Sequence, residues 1–231
     1  MWGRQKRWES LLNDGVCCDG GEGSRSRALP FALSPARSRG GEHLMTKHKL
    51  PRLPRPSLEE LRGDQRVLAE QILAVSKVGL GGPYTCLLRS PVLGQRMFDV
   101  YDYLRWKTSV PHKLNEFAIL IVARKWQSQI EWYVHSELAA RAGLARGVMD
   151  DLLKNMRPAQ MQPDEAIVFD FVDEMLENQK IRDETYEKAK GLLGEQAVID
   201  LTVLTGLYVT AAMLLALAEE KVPAGETSPF Q

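Results

Sequence analysis

The sequence predicts an all-α fold, a compact helical bundle of about seven or eight helices, and three observations carry that prediction. Apolar residues recur at helical spacing through most of the chain after Ser57. No segment alternates apolar and polar residues with the period of two that a strand requires. Glycines and prolines fall between the apolar runs, where helices stop and start. With 231 residues, 44% of them hydrophobic, the chain can fill one real core. One helical domain is placed at residues 46–222, between an N-terminal extension (1–45) and a flexible C-terminal tail (223–231).

The extension is rich in Gly, Ser, Arg and Pro and shows no sustained period, so it buries too little apolar surface to offset the entropy of ordering. It is expected to be disordered. Its Arg and Ser content hints at an organelle transit peptide, but Glu9, Asp14, Asp19, Glu22 and Glu42 are wrong for one, and no apolar stretch suits a secretory signal. The abrupt change of composition at Met45 suggests that residue as the true start.

Ser57 and Glu60 form the capping box of a first helix, in which Leu58, Leu61, Leu68, Ile72 and Val75 recur near helical spacing. Gly79, Gly81, Gly82 and Pro83 break the chain. Ser90-Pro91 reads as an N-cap and first-turn pair opening a helix from Val92 to Trp106, which Ser109-Val110-Pro111 ends. Leu114 to Trp126 is almost entirely apolar, and a helix of that composition is buried on most sides. Gln127 to Ala142 follows, closed by Gly143, with a shorter helix from Leu144 to Leu153. Pro163-Asp164 opens the next, through Asn178, with Ile167, Phe171, Val172 and Met175 on one face. Asp183 caps Glu184 to Leu193, and Gly194 stops it. The last helix runs from Ala197 to about Lys221 and is apolar almost all round. Its stretch from Val198 to Ala218 approaches the length of a membrane span, but Asp200, three threonines, Gly206 and Tyr208 mark it as a buried core helix.

Lysine and arginine (30) balance aspartate and glutamate (30), so no global field draws in nucleic acid or an anionic membrane, and neither is expected as a partner. A charged substrate must be attracted locally. Cys17, Cys18 and Cys86 form no C-x-x-C pair, and two of them are adjacent, where an ordinary disulfide is sterically awkward. They read as reduced thiols in a cytoplasmic protein.

The chemically suggestive residues lie around one helix junction. Glu131 and His135 are four apart, on one helix face, where a carboxylate orients an imidazole and makes it a general acid or base near neutral pH. By itself the spacing more often marks an ordinary i,i+4 surface pair. Glu116 adds weight, because an ionised carboxylate inside an apolar helix is costly without a partner, and its candidate partners are His135, Arg124 or a neighbouring subunit. Neither metal nor cofactor is expected: His-Glu-x-x-His is absent, His43, His48 and His112 lie in the extension, its edge or a turn, and Gly79-Leu80-Gly81-Gly82 follows no strand.

The segment from Glu116 to Leu144, and more loosely Pro56 to Pro223, resembles the carboxymuconolactone decarboxylase and alkylhydroperoxidase D family. In that family's peroxidase members a glutamate lies nineteen residues before a histidine, cysteines precede the histidine by seven and four, and Ala-x-x-Ala-Gly follows. Glu116, His135 and the run Ala139-Ala140-Arg141-Ala142-Gly143 match. Ser128 and Glu131 stand where the two thiols would be, and a hydroxyl and a carboxylate cannot pass through sulfenic acid and disulfide states. Cys86, alone in PYTCLL, reads as a small buried hydrophobe and not as a substitute nucleophile.

The resemblance implies the alkylhydroperoxidase D-like helical fold, a homo-oligomer (trimer or hexamer), and chemistry on the lyase side of the family, in aromatic-compound catabolism. On that basis the expected function is acid/base proton transfer, a decarboxylation or related isomerisation, on a small organic acid or lactone. His135 is the expected proton donor or acceptor, Glu131 its orienter and Glu116 a second acid or base whose pKa burial can raise. Arg124 and Arg105 are candidates to clamp a substrate carboxylate, Trp126, Trp132 and Tyr133 to wall an apolar substrate, and Ser128 joins the binding set. The alternatives are the family's peroxiredoxin-type antioxidant activity, which the missing cysteines oppose, and a non-catalytic ligand-binding or assembly protein.

Overall fold

Ten consecutive residues, Leu114 to Ala123, are buried, and the helix that carries them is the hub of the fold. The computed structural model describes residues 52–76 and 79–230, and among them it forms helices and no strand. In chain order they are α1 (Gly63–Val75), α2 (Tyr84–Leu87), α3 (Pro91–Trp106), α4 (His112–Lys125), α5 (Gln129–Arg141), α6 (Arg146–Leu153), α7 (Pro163–Asn178), α8 (Asp183–Leu193) and α9 (Glu195–Ala218). The apolar α4 packs against α5, α7 and α9, and more lightly against α3 and α6. Phe117 and Phe171 are fully buried in this core, each stabilising the fold by about 2 kcal/mol. The expected extension, with Cys17, Cys18, His43, Met45 and His48, lies outside the described residues.

Among the described residues the nine helices exceed the expected number by α2, a single turn too short to show a period. The first helix also begins later than Ser57. The backbone N–H of Ser57 does bond the Glu60 carboxylate (2.7 Å), but only a turn follows, because Gly63 at φ +49° separates it from the regular helix. α7 matches its expected limits, and the Gln162 N–H bonds the Glu165 carboxylate (2.9 Å) as a capping box does.

The helices read from sequence as abutting at Trp126 and Gln127 are separated by a tight junction between α4 and α5. Gln127 adopts a left-handed conformation (φ +48°), with its N–H on Arg124 C=O (3.1 Å) and the Ser128 N–H on Ala123 C=O (2.8 Å). This is a Schellman cap, and it delays α5 to Gln129. The same pair of bonds recurs at the end of α5, with Gly143 at φ +95°. The first of these caps turns α5 back along α4 and sets the height at which its side chains meet those of α4, and the second turns the chain from α5 into α6.

α9 is long and apolar enough, at 24 residues and a mean hydropathy of 2.0, to cross a membrane by length and composition, and half of that stretch is buried inside the protein. Asp200 sets its register by accepting hydrogen bonds from Tyr103 Oη (3.0 Å) and Thr108 Oγ1 (2.7 Å) at the end of α3. Ile199, Val203, Met213 and Leu217 remain exposed along its outer face. The segment after Pro223, read from sequence as a flexible tail, folds back onto α5. Phe230 is buried, its ring 5.4 Å from that of Trp132, and its backbone exchanges two hydrogen bonds with the Gln129 amide (2.6 and 3.0 Å). Its one aromatic side chain, invisible to a composition argument, supplies the anchor.

Candidate active site

Four helices bring chemistry to one place. α5 supplies Glu131 and His135, α3 supplies Tyr101, Arg105 and Trp106, α2 supplies Tyr84 and α9 supplies Tyr208, and together they wall a half-open cavity of about 80 Å³. A space of that size holds roughly five waters or a small organic ligand.

Glu116, from α4, stands behind His135. His135 Nδ1 lies 2.6 Å from Glu116 Oε2, a contact that assigns the proton to Nδ1 and leaves Nε2 as the nitrogen available to a ligand. The other carboxylate oxygen, Oε1, is 4.0 Å from Arg105 Nη2 and 4.0 Å from His112 Nε2, outside hydrogen-bond reach of both. Burial by itself would raise the Glu116 pKa, but His135, Arg105 and His112 together outweigh it and hold the carboxyl below its ordinary value. For His135 burial wins over the attraction of Glu116, and its pKa falls. The pair is thus a carboxylate and a neutral imidazole at neutral pH. The imidazole edge is further held by a T-shaped contact with Tyr208, 5.1 Å between centroids.

Glu131 differs from the role its spacing suggested. It does not hydrogen-bond His135, and Glu116 is the residue that orients the ring. Neither Glu131 oxygen has a hydrogen-bond partner among the described residues, and only 4% of the residue is exposed. Burial pushes its carboxyl up to about 8, against a smaller opposing pull from the nearby Ser128 hydroxyl, which itself lacks a partner of good geometry. A carboxylic acid in this setting is protonated at neutral pH.

The expected binding residues divide. Arg105 is on the cavity wall. Arg124 is not: its guanidinium lies 5.2 Å over the Phe230 ring. Trp132 is buried against the same Phe230, Tyr133 and Trp126 do not line the cavity, and Ser128 occupies the N-cap position of α5 without a capping side-chain hydrogen bond. Residues that sequence reasoning missed at the site are Tyr84, Tyr101, Trp106 and Tyr208, which come from three separate helices. Tyr101 and Tyr208 meet at 6.0 Å and Tyr84 and Tyr101 at 6.3 Å, all edge-on, so the wall is a rigid aromatic surface. Cys86 is buried elsewhere, with its thiol directed to Leu214 C=O (3.3 Å) and its pKa raised chiefly by burial. Among the described residues no cluster of His, Cys, Asp and Glu could hold a metal ion.

The helices and their order define an all-helical fold of the alkylhydroperoxidase D-like type. The crystal structure of an alkylhydroperoxidase AhpD core, an uncharacterized peroxidase-related protein from Ralstonia eutropha JMP134, superposes with a TM-score of 0.63 over 77% of this chain and 94% of that one, at 16% sequence identity. At that identity the likeness is one of fold. No protein-family model matches the sequence, and no curated protein matches it.

Proposed function

We propose that this chain is an acid/base enzyme acting on a small organic acid or lactone, with decarboxylation or a related isomerisation as its step. The observation that carries the reading is the presence, on one cavity, of a neutral buried carboxyl (Glu131) and an imidazole whose Nδ1 is tied to Glu116. One is a proton donor and the other a base, which is the separation of roles that acid/base catalysis needs. In a decarboxylation the bond to the substrate carboxylate breaks, carbon dioxide leaves, and the electron pair stays on the substrate as an enolate. Glu131 gives its proton to that carbon, and solvent returns one to Glu131. In an isomerisation His135 Nε2 removes a proton from carbon and Glu131 delivers one elsewhere. Arg105 supplies positive charge beside both steps.

The test is a panel of carboxylated lactones and unsaturated acids, followed for carbon dioxide release and for deuterium incorporation from solvent by NMR. The expected result is turnover in the wild type that falls by about 100-fold or more in Glu131→Gln and His135→Gln, with helicity retained. Full activity in either variant, or no turnover and no exchange across the panel, refutes the reading. Binding without turnover would favour a ligand-binding protein. Hydroperoxide reduction that survives removal of Cys17, Cys18 and Cys86 would replace it with a thiol-free peroxidase. Self-association as a trimer or hexamer belongs to the same reading, supported by the exposed apolar stripe of α9, and sedimentation velocity tests it.

A further inference from the structure

Two hydrogen-bond donors on the cavity wall, the Tyr101 hydroxyl and the Arg105 Nε–H, have no acceptor among the described residues. Tyr101 and Arg105 are four residues apart on α3 and so share a face. Tyr101 is 5% exposed, and its hydroxyl has no partner among the described residues. The Arg105 side chain is 19% exposed, its Nε has no partner, and its nearest carboxylate oxygen is Glu116 Oε1 at 4.0 Å. Trp106, 4.8 Å beneath the guanidinium, steadies the cation without accepting its in-plane N–H groups.

Burying a hydroxyl and a guanidinium Nε–H without acceptors is costly, and native structures almost always supply the acceptor. The groups nearby do not: neither Glu131 oxygen accepts from them, and Glu116 gives Oε2 to His135 while its Oε1 stands 4.0 Å from Arg105 Nη2, beyond hydrogen-bond reach. The Tyr101 ring cannot swing away to find one, since Tyr84 and Tyr208 hold it edge-on from two sides. A carboxylate is the ligand group that fits, offering two acceptor oxygens in a plane to a phenol O–H and a forked guanidinium.

We propose that Tyr101 and Arg105 are a carboxylate-recognition pair, binding the anionic group of a small planar organic acid whose body lies against Tyr84 and Tyr208 and faces His135. The proposal rests on the acid/base reading for the choice of an organic acid, but its test is binding and not turnover. Tyr101 then sets specificity for the carboxylate over the matching amide, which brings N–H groups to a site that already has donors.

The probes are benzoate and its neutral analogue benzamide, measured by calorimetry on the full chain. Wild type is expected to bind benzoate about tenfold or more tightly than benzamide, as a charge-assisted hydrogen bond requires. Tyr101→Phe keeps the ring contacts and should weaken benzoate by about tenfold while changing benzamide by less than about twofold. Arg105→Gln should abolish the preference, and it carries the test if Tyr101→Phe does not fold by circular dichroism. Equal affinity for the two probes in the wild type, or an undiminished preference in a folded Tyr101→Phe, overturns the pair. Benzoate selectivity without turnover of any carboxylate leaves the pair standing and defeats the acid/base reading. Turnover with an unchanged KM in Tyr101→Phe does the reverse.

Discussion

Replacing Glu131 by Gln should make the protein more stable at neutral pH while removing its proton donor. In the folded chain burial moves the Glu131 carboxyl from the ordinary 4.5 up to about 8. Below pH 4.5 both folded and unfolded chains hold the proton, and the group does not oppose folding. Between 4.5 and 8 the unfolded chain releases a proton that the folded chain keeps, so stability falls as pH rises, and the loss is complete above 8. At 1.36 kcal/mol per pH unit the cost is about 3 kcal/mol at pH 7 and about 5 kcal/mol above pH 8. Gln is nearly isosteric and cannot ionise, so the variant escapes this cost. Denaturant unfolding of both proteins at pH 4, 7 and 8.5, followed by circular dichroism, isolates the effect, because the other titrating groups cancel in the difference. The two should be similar at pH 4 and separate by about 3 kcal/mol at pH 7, roughly 6–12 °C in Tm for a domain of this size. A difference that does not change with pH would show that Glu131 is ionised in the folded protein, and its assignment as the acid would fall.

Glu116→Gln removes the negative charge that stabilises the imidazolium against the cost of burial, so the His135 pKa should fall further. The acidic limb of the rate profile should then move to lower pH, with a rate at pH 7 lower by about tenfold to 100-fold, read from kcat/KM against pH. Gly94→Ala should destabilise the fold by about 1–3 kcal/mol, measured by denaturant unfolding. A Cβ there would stand 2.6 Å from Leu87 O and 2.7 Å from Leu68 Cδ2, which closes the space that lets α3 approach α1 and α2. Phe230→Ala should release the C-terminal segment from Trp132 and Gln129, cost about 1–3 kcal/mol, and expose residues 223–230 to limited proteolysis.

Much of the fold is legible because each helix from α3 onward announces itself locally. Pro163 opens α7, Gly143 and Gly194 close α5 and α8, and the apolar run from Leu114 marks α4 as the buried hub. Where the reading slipped, a backbone conformation overrode a pattern. A left-handed Gln127 looks like any helical glutamine in sequence, and Gly63 at φ +49° cuts off a capping box that would otherwise have launched a helix. The site was legible in its catalytic candidates and poorly legible in its walls. Glu116 was conspicuous because a carboxylate in an apolar helix must find a partner, and the distance of nineteen residues to His135 becomes a 2.6 Å contact once the cap at Gln127 folds α5 along α4. Tyr84, Tyr101 and Tyr208 carried no such signal, since aromatic residues at helical spacing are ordinarily core.

The sequence by itself determined that the fold is helical, that the apolar helix from Leu114 is buried, and that Glu116, Glu131 and His135 are the residues to watch. Those follow from periodicity, from caps and from the cost of burying charge, all of which act over a few residues. Only the tertiary structure decided their roles. It gave the orienting of His135 to Glu116 and left Glu131 as a lone buried acid. It also drew Arg105 to the cavity and Arg124 to Phe230. The physical reason is that hydrogen-bond partnership and desolvation depend on which side chains from distant helices share a space, and a four-residue spacing on one helix says nothing about what packs against it.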